Sequence, residues 1–290
     1  MTKKHENWGW FFAAPYALGL VLFTLIPTLF AGYISLTEYN LFNPPQWIGL
    51  ENFVEVWTKP NIWYSFRNIL VYAIIMQGIQ IFFGCVLANL LNQGIKGTTA
   101  FRVMYFIPAL TPMVAAAFVW SNLYNPVYGF LNQLLGYVGI DPLKYCYSNN
   151  WFEAVASIAV MQGWKGTGYT TVYLLAGIQG ISKDVTEAAE VDGATGIKRF
   201  FKITLPLLSP TIFFLIMTGM ITSIQVFEPF YLMQADTGAN TEVIGTLIYN
   251  NSFVYGKAGY ASAIAWTSFL FVAVLTYIQK AMEKRWVFYE

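Results

Sequence analysis

Charge is what this sequence has least of. Asp, Glu, Lys and Arg make up 11% of its 290 residues, against about 25% in an ordinary soluble domain. With 57% hydrophobic residues and so few ionic ones, the chain cannot clothe a water-facing surface, and a soluble domain is excluded. Histidine is nearly missing as well. The single His5 lies in the N-terminal tail, so neither a histidine-based triad nor a His-type zinc centre can be assembled. Two cysteines, Cys85 in an apolar run and Cys146 in a connection, define no disulfide framework, and Cys85 reads as a small buried hydrophobe. A G-x-x-x-x-G-K-[ST] run is absent too. The cluster Gly163-Trp164-Lys165-Gly166-Thr167-Gly168 has the glycines without the following Lys-Ser/Thr. Basic residues stand singly or in small groups with no stripe, which argues against nucleic acid.

What is present is long apolar runs. A helix needs about 20 mainly apolar residues to cross the hydrocarbon core, and six segments qualify: 11–35, 68–91, 102–124, 153–180, 207–232 and 260–281. The runs are continuous and not alternating, so a closed barrel is excluded and an all-α membrane protein is expected. Lys3 and Lys4 precede the first run as in a signal peptide, but that run is too long and lacks a small-residue cleavage site, so it reads as a retained span. Basic residues then set the orientation. With the N-terminus inside, inner segments hold Lys3, Lys4, Lys96, Arg102, Lys183, Lys198, Arg199, Lys202, Lys280, Lys284 and Arg285, whereas outer ones hold Lys59, Arg67, Lys144 and Lys257. Both termini are therefore expected in the cytoplasm. Outer connections are rich in Trp47, Trp57, Trp63, Tyr64, Tyr145, Tyr147 and Trp151, which suit interfacial anchoring and, alternatively, a surface for an external partner. No internal repeat or linker appears, so residues 1–290 read as one membrane domain.

The polar stretch 182–206 between the fourth and fifth runs falls on the cytoplasmic side in this arrangement. Ser182 is a plausible N-cap, with Asp184 and Glu187 near the positive helix end. A helix to Asp192 is expected, then a sharp turn at Gly193 and a second short helix over Thr195–Lys202. Pro206 would open the fifth span. Ala188 and Ala189 carry almost no side chain, so this helix could approach another protein closely, with Glu187 and Asp192 adding acidic contacts.

The spacing Glu187-Ala188-Ala189, three residues, Gly193, nine residues, Ile203-Thr204-Leu205-Pro206 resembles the EAA loop of binding-protein-dependent ABC importer permeases. Three other segments are similar to the maltose-type carbohydrate permeases: Trp47-Ile48-Gly49-Leu50-Glu51-Asn52-Phe53, Leu174-Leu175-Ala176-Gly177-Ile178-Gln179, and Lys284-Arg285-Trp286-Val287-Phe288-Tyr289. One departure is Asp236-Thr237-Gly238-Ala239-Asn240, where the family has a Gly-Gly-Pro turn. The resemblance implies a type I permease core whose loop, including Ala194, docks on an ATPase. It further implies a second permease, two ATPase subunits that hold ATP and Mg, and an extracellular binding protein that delivers sugar. The chain itself would then carry no cofactor and hydrolyse nothing.

Polar groups at membrane depth must face protein or a water-filled path. In the fourth run Gln162, Lys165, Tyr169 and Tyr173 recur every three or four residues and share a helical face. Gly163, Gly166 and Gly168 lie among them and would loosen the helix enough for a ligand to reach the backbone. The fifth run offers Thr218, Thr222 and Gln225, with Ser223 and Phe227 alongside; the third offers Thr111 between Pro108 and Pro112. The resemblance places ligand contacts near Thr111, Gly166, Tyr169, Ser223 and Phe227. Helix-to-helix hydrogen bonding is the alternative for all of these, and it is the favoured one for Gln77 and Gln80. Lys165 needs an anionic partner, either Glu228 or a carboxylate on the solute. Competing classes are weaker. An ion-driven carrier would need acidic residues within its spans and two repeated halves, a membrane enzyme would need a nucleophile or metal cluster, and within ABC importers a solute such as glycerol phosphate is the alternative.

Overall fold

The computed structural model describes residues 3–94, 97–141, 143–233 and 240–288. Along the chain, α1 (Lys3–Leu20) passes through a π turn (Val21–Leu25) into α2 (Ile26–Ser35). A two-residue hairpin follows, β1 (Thr37–Glu38) pairing antiparallel with β2 (Gln46–Trp47), then α3 (Glu51–Thr58) and α4 (Pro60–Asn92). Next come α5 (Thr98–Leu110), α6 (Met113–Leu123), α7 (Phe130–Tyr137) and α8 (Trp151–Gly180). The 182–206 stretch holds α9 (Lys183–Val191), α10 (Gly196–Arg199), a π turn (Phe200–Thr204) and α11 (Leu205–Leu207). The chain ends with α12 (Ser209–Ile224), α13 (Glu228–Met233), α14 (Ile244–Tyr249) and α15 (Ala258–Trp286). Asp236–Ala239 lie outside the described residues.

Among the described residues, three helices are long and apolar enough to span a bilayer: Phe12–Ser35, α4 and α15. Two bent pairs raise the number to five by length and composition. The run 102–124, expected as one straight span, is α5 and α6 meeting at 95°. Pro112 has no N–H to continue the ladder and pushes Thr111 into the extended region (φ −66, ψ 130). The run 207–232 is likewise not continuous. α12 stops at Ile224, and a separate α13 starts at Glu228 with Pro229 in its first turn. The helix over 153–180 is present as α8 but is less apolar than those three. Its surroundings explain why: residues buried by protein, from Ala154 to Ile178, occupy much of its length, so it need not match lipid.

The chain forms two compact units by contact. One holds residues 1–59 and 247–270. Within it, Asn52 of the Trp47–Phe53 motif donates through Nδ2 to the carbonyls of Ser35 and Thr37, both at 2.9 Å. It thereby satisfies the Ser35 carbonyl at the open end of α2 and that of Thr37 in β1. Gly49 makes the preceding turn at φ +65.

The other unit holds residues 60–246 and 271–290. Its spine is α4 against α8. A Cβ on Gly84 would meet Thr170 at 2.9 Å and Leu174 at 3.0 Å, and one on Gly163 would meet Ile79 at 2.8 Å. One on Gly166 would meet the Gln80 amide at 2.1 Å, and one on Gly168 the Tyr105 carbonyl at 2.9 Å. The glycines of α8 therefore do not loosen it, since the helix is unbroken from Trp151 to Gly180. They let neighbouring helices touch its backbone. Gln80 fills the gap, donating to the Gln162 carbonyl and accepting from the Thr170 hydroxyl, each at 3.4 Å. Cys85, Ala88, Leu91, Leu174, Leu175, Ile178 and Leu208 form the apolar core where α4, α8 and the start of α12 converge.

Gly163→Val overpacks this contact and should lower stability by about 1–3 kcal/mol. Gly78→Ala, where an added Cβ meets nothing within 4 Å, should be neutral or stabilise by up to about 1 kcal/mol. Thermal unfolding of the detergent-solubilised protein separates the two.

Candidate functional site

Two places in the larger unit carry the residues singled out in the sequence. The first is the 182–206 stretch. Ser182 caps α9, its hydroxyl accepting from the Val185 N–H at 3.4 Å. α9 closes with Asp192 N–H donating to the Ala188 carbonyl (3.0 Å), Gly193 N–H to Glu190 (3.0 Å) and Ala194 N–H to Ala189 (2.8 Å). This closure needs a left-handed residue, and Gly193 supplies it at φ +73. An ion pair between Arg199 and Glu190 ties α10 to α9. Being solvent-exposed, it is worth at most about 1 kcal/mol.

Ala188 and Ala189 do not act alike. Ala189 and Ala194 are buried, while Glu187, Ala188, Asp192 and Gly193 are exposed. The outward surface is thus Ala188 with acidic neighbours, joined by Val191 (88% exposed) and Ile197 (79%). Those two apolar residues were not signalled by the motif, although branched aliphatics in a polar loop could have been read as a contact surface. Ile203, Leu205 and Pro206 are half-buried where the loop re-enters the bundle.

The second place is a cavity of about 430 Å³ lined by α4, α6, α8, α12 and α13. Gln162, Lys165, Thr222, Ser223, Gln225 and Phe227 all face it, as does Glu228. Thr111, Gly166, Tyr169 and Tyr173 do not line it. Thr111 turns its hydroxyl back to the Ile107 carbonyl at 3.1 Å. Gly166 lies against Gln80. Tyr169 packs edge-on to Phe106 at 5.2 Å and Tyr173 against Phe214 at 5.8 Å, each tyrosine about half exposed. Missing from the sequence reading were Tyr72, Met76, Met113, Val226 and Pro229. Tyr72 and Met76 are four apart on α4, a pairing that could have flagged one phenol within an apolar helix.

Lys165 is held by the bend between α5 and α6. Where α5 stops, its last carbonyls lose their helical donors, and the Lys165 ammonium donates to that of Ala109 at 3.2 Å. A cation at the negative end of a helix is favourable. Ser223 returns its hydroxyl to Gly219 at 2.7 Å and Thr222 to the same carbonyl at 3.0 Å. The Gln162 side-chain oxygen is shielded from solvent and accepts no hydrogen bond among the described residues.

Residues 80–287 match the family model described as the binding-protein-dependent transport system inner membrane component. The chain belongs to this family. It is a multi-pass inner-membrane component and a permease. Over 295 aligned residues it is 35% identical to the probable ABC transporter permease protein YesP of Bacillus subtilis, covering 99% of this chain and 94% of that one. It is 30% identical to the trehalose/maltose transport system permease protein MalF of Thermococcus litoralis, over 96% and 94% of the two chains. Its fold matches a chain in the crystal structure of a bacterial alginate ABC transporter in complex with alginate pentasaccharide-bound periplasmic protein. The TM-score is 0.81 at 22% identity, covering 97% of this chain and 96% of that one. The fold is thus that of a type I ABC permease.

If the cavity is the route of the solute, Thr222→Trp should cut import about tenfold or more by filling it. Tyr173→Trp, away from the cavity, should change import by less than about twofold. Uptake of labelled solute into cells carrying each variant at equal membrane level reads the difference.

Proposed function

We propose that this chain is one permease subunit of an ATP-driven importer for a sugar or oligosaccharide. An extracellular solute-binding protein delivers the solute, and a second permease of similar fold completes the pathway. Two ATPase subunits hold ATP and Mg and grip the exposed surface of α9. The whole of 1–290 works as one membrane domain with six spans: the Phe12–Ser35 helix, α4, the bent pair α5–α6, α8, α12 and α15. Both termini and the 182–206 loop then lie in the cytoplasm, as the basic residues favour. When the ATPases close on ATP, they draw the two permeases' loops together and reorient the spans; hydrolysis lets the pathway open inward.

The observation that carries this reading is the capped, outward-facing loop with Gly193 at its turn. Its Ala188 surface is small enough for close approach, while Ala189 and Ala194 are buried. Push on this loop, and the force passes through half-buried Ile203 and Pro206 into α12. Sugar is supported by the cavity. Hydroxyls need donors and acceptors together, which Gln162, Thr222 and Gln225 provide, and aromatic rings such as Phe227 suit the C–H faces of a pyranose. Trehalose and maltose are what one relative's name records, and the same chemistry favours a saccharide here.

Gly193→Val places a β-branched residue at φ +73, a local cost on the order of 1–2 kcal/mol. The assembled transporter should reach the membrane at normal levels yet lose most of its solute-stimulated ATP hydrolysis in liposomes. Undiminished stimulation would argue against coupling through the loop.

A further inference from the structure

The cavity holds a charge that the sugar reading does not use. Lys165 sits midway along α8, roughly 21 Å of helix from either end, too far for its ammonium to snorkel out to the membrane surface. An ammonium at such depth costs a few kcal/mol or more unless it is compensated. Its one described partner is the neutral Ala109 carbonyl, which takes a single donor of three. Glu228 lines the same cavity, but the two are not among the described ion pairs, which are Lys59–Glu55 and Arg199–Glu190. Beside the ammonium, one turn away on the same face, the Gln162 side-chain oxygen is shielded and accepts nothing among the described residues. The cavity therefore presents an uncompensated cation next to an unused acceptor.

We propose that the solute is an acidic saccharide, a uronate-containing sugar whose carboxylate is anchored by Lys165. This deepens the sugar-import reading above and rests on it. The carboxylate accepts from the two remaining ammonium donors, and an adjacent ring hydroxyl donates to Gln162. Glu228, exposed on the same cavity's lining, takes a second hydroxyl. A neutral sugar offers the ammonium only hydroxyl oxygens, which leave its charge uncompensated, whereas a carboxylate neutralises it. The Ala109 carbonyl keeps the lysine at the cavity, and Lys165 there determines specificity.

Matched disaccharides test this, each pair differing only in a carboxylate in place of the hydroxymethyl group, digalacturonate against galactobiose among them. Import into proteoliposomes is measured with the complete transporter and its binding protein. The wild type should favour the uronate members by about tenfold or more. Lys165→Gln should abolish that preference, while Lys165→Arg, which keeps the charge, should retain most of it. Preference for the neutral members in the wild type overturns the acidic assignment and leaves the sugar reading standing. Equal loss of both sugars in Lys165→Gln overturns it in the same way. Import of neither member of any pair removes both readings.

Discussion

In lipid, the hydrophobic effect does not press one helix onto another, so this fold depends on how closely α4 and α8 can approach. Glycine sets that distance. Gly84 on one helix and Gly163 and Gly166 on the other leave no room for a Cβ against Thr170, Ile79 and Gln80. Dispersion and the Gln80 hydrogen bonds then hold what water would otherwise have driven together. Once α8 is fixed against α4, everything on its other faces has an address. Gln162 and Lys165 look toward α12 and α13, and the backbone at Gly168 meets α5.

Proline does the complementary work. Pro112 ends α5 and turns the chain by 95° into α6. Pro229 opens a new helix where α12 has stopped. These interruptions bring Met113 from one broken segment and Val226 to Pro229 from the other to the same cavity. Irregular backbone at membrane depth is tolerated where it lines a cavity or is buried in protein, and both breaks meet that condition. The first also exposes the Ala109 carbonyl that positions Lys165.

Much of this was legible in the sequence, and what was not has identifiable causes. Apolar runs located the helices, including α8, whose polar and glycine content would have hidden it from composition alone. Neither break was anticipated, because hydropathy averages over a window and does not register one missing N–H. The face running from Gln162 to Tyr173 exists, yet only its first half meets the cavity. Phe106 and Phe214, on helices distant in sequence, pack against the other half. Tyr72 and Met76 escaped notice because the stretch they sit in, residues 69–76 of α4, is apolar on every side with no periodic contrast. In the loop, the cap at Ser182 and the turn at Gly193 were readable from residue type. The division of labour between Ala188 and Ala189 was not. Adjacent residues on a helix point about 100° apart, and which one is buried depends on packing that residue type does not reveal.

The proposed function has this loop receive force from the ATPase subunits, so its side of the membrane is the account's central claim. Labelling Ala188→Cys with a membrane-impermeant maleimide tests that directly. Native Cys146 gives little background, because burial pushes its thiol up to about 12 and a thiolate scarcely forms. Strong labelling in inside-out vesicles with none in right-side-out vesicles is the predicted result. Labelling from the outside instead would contradict the account.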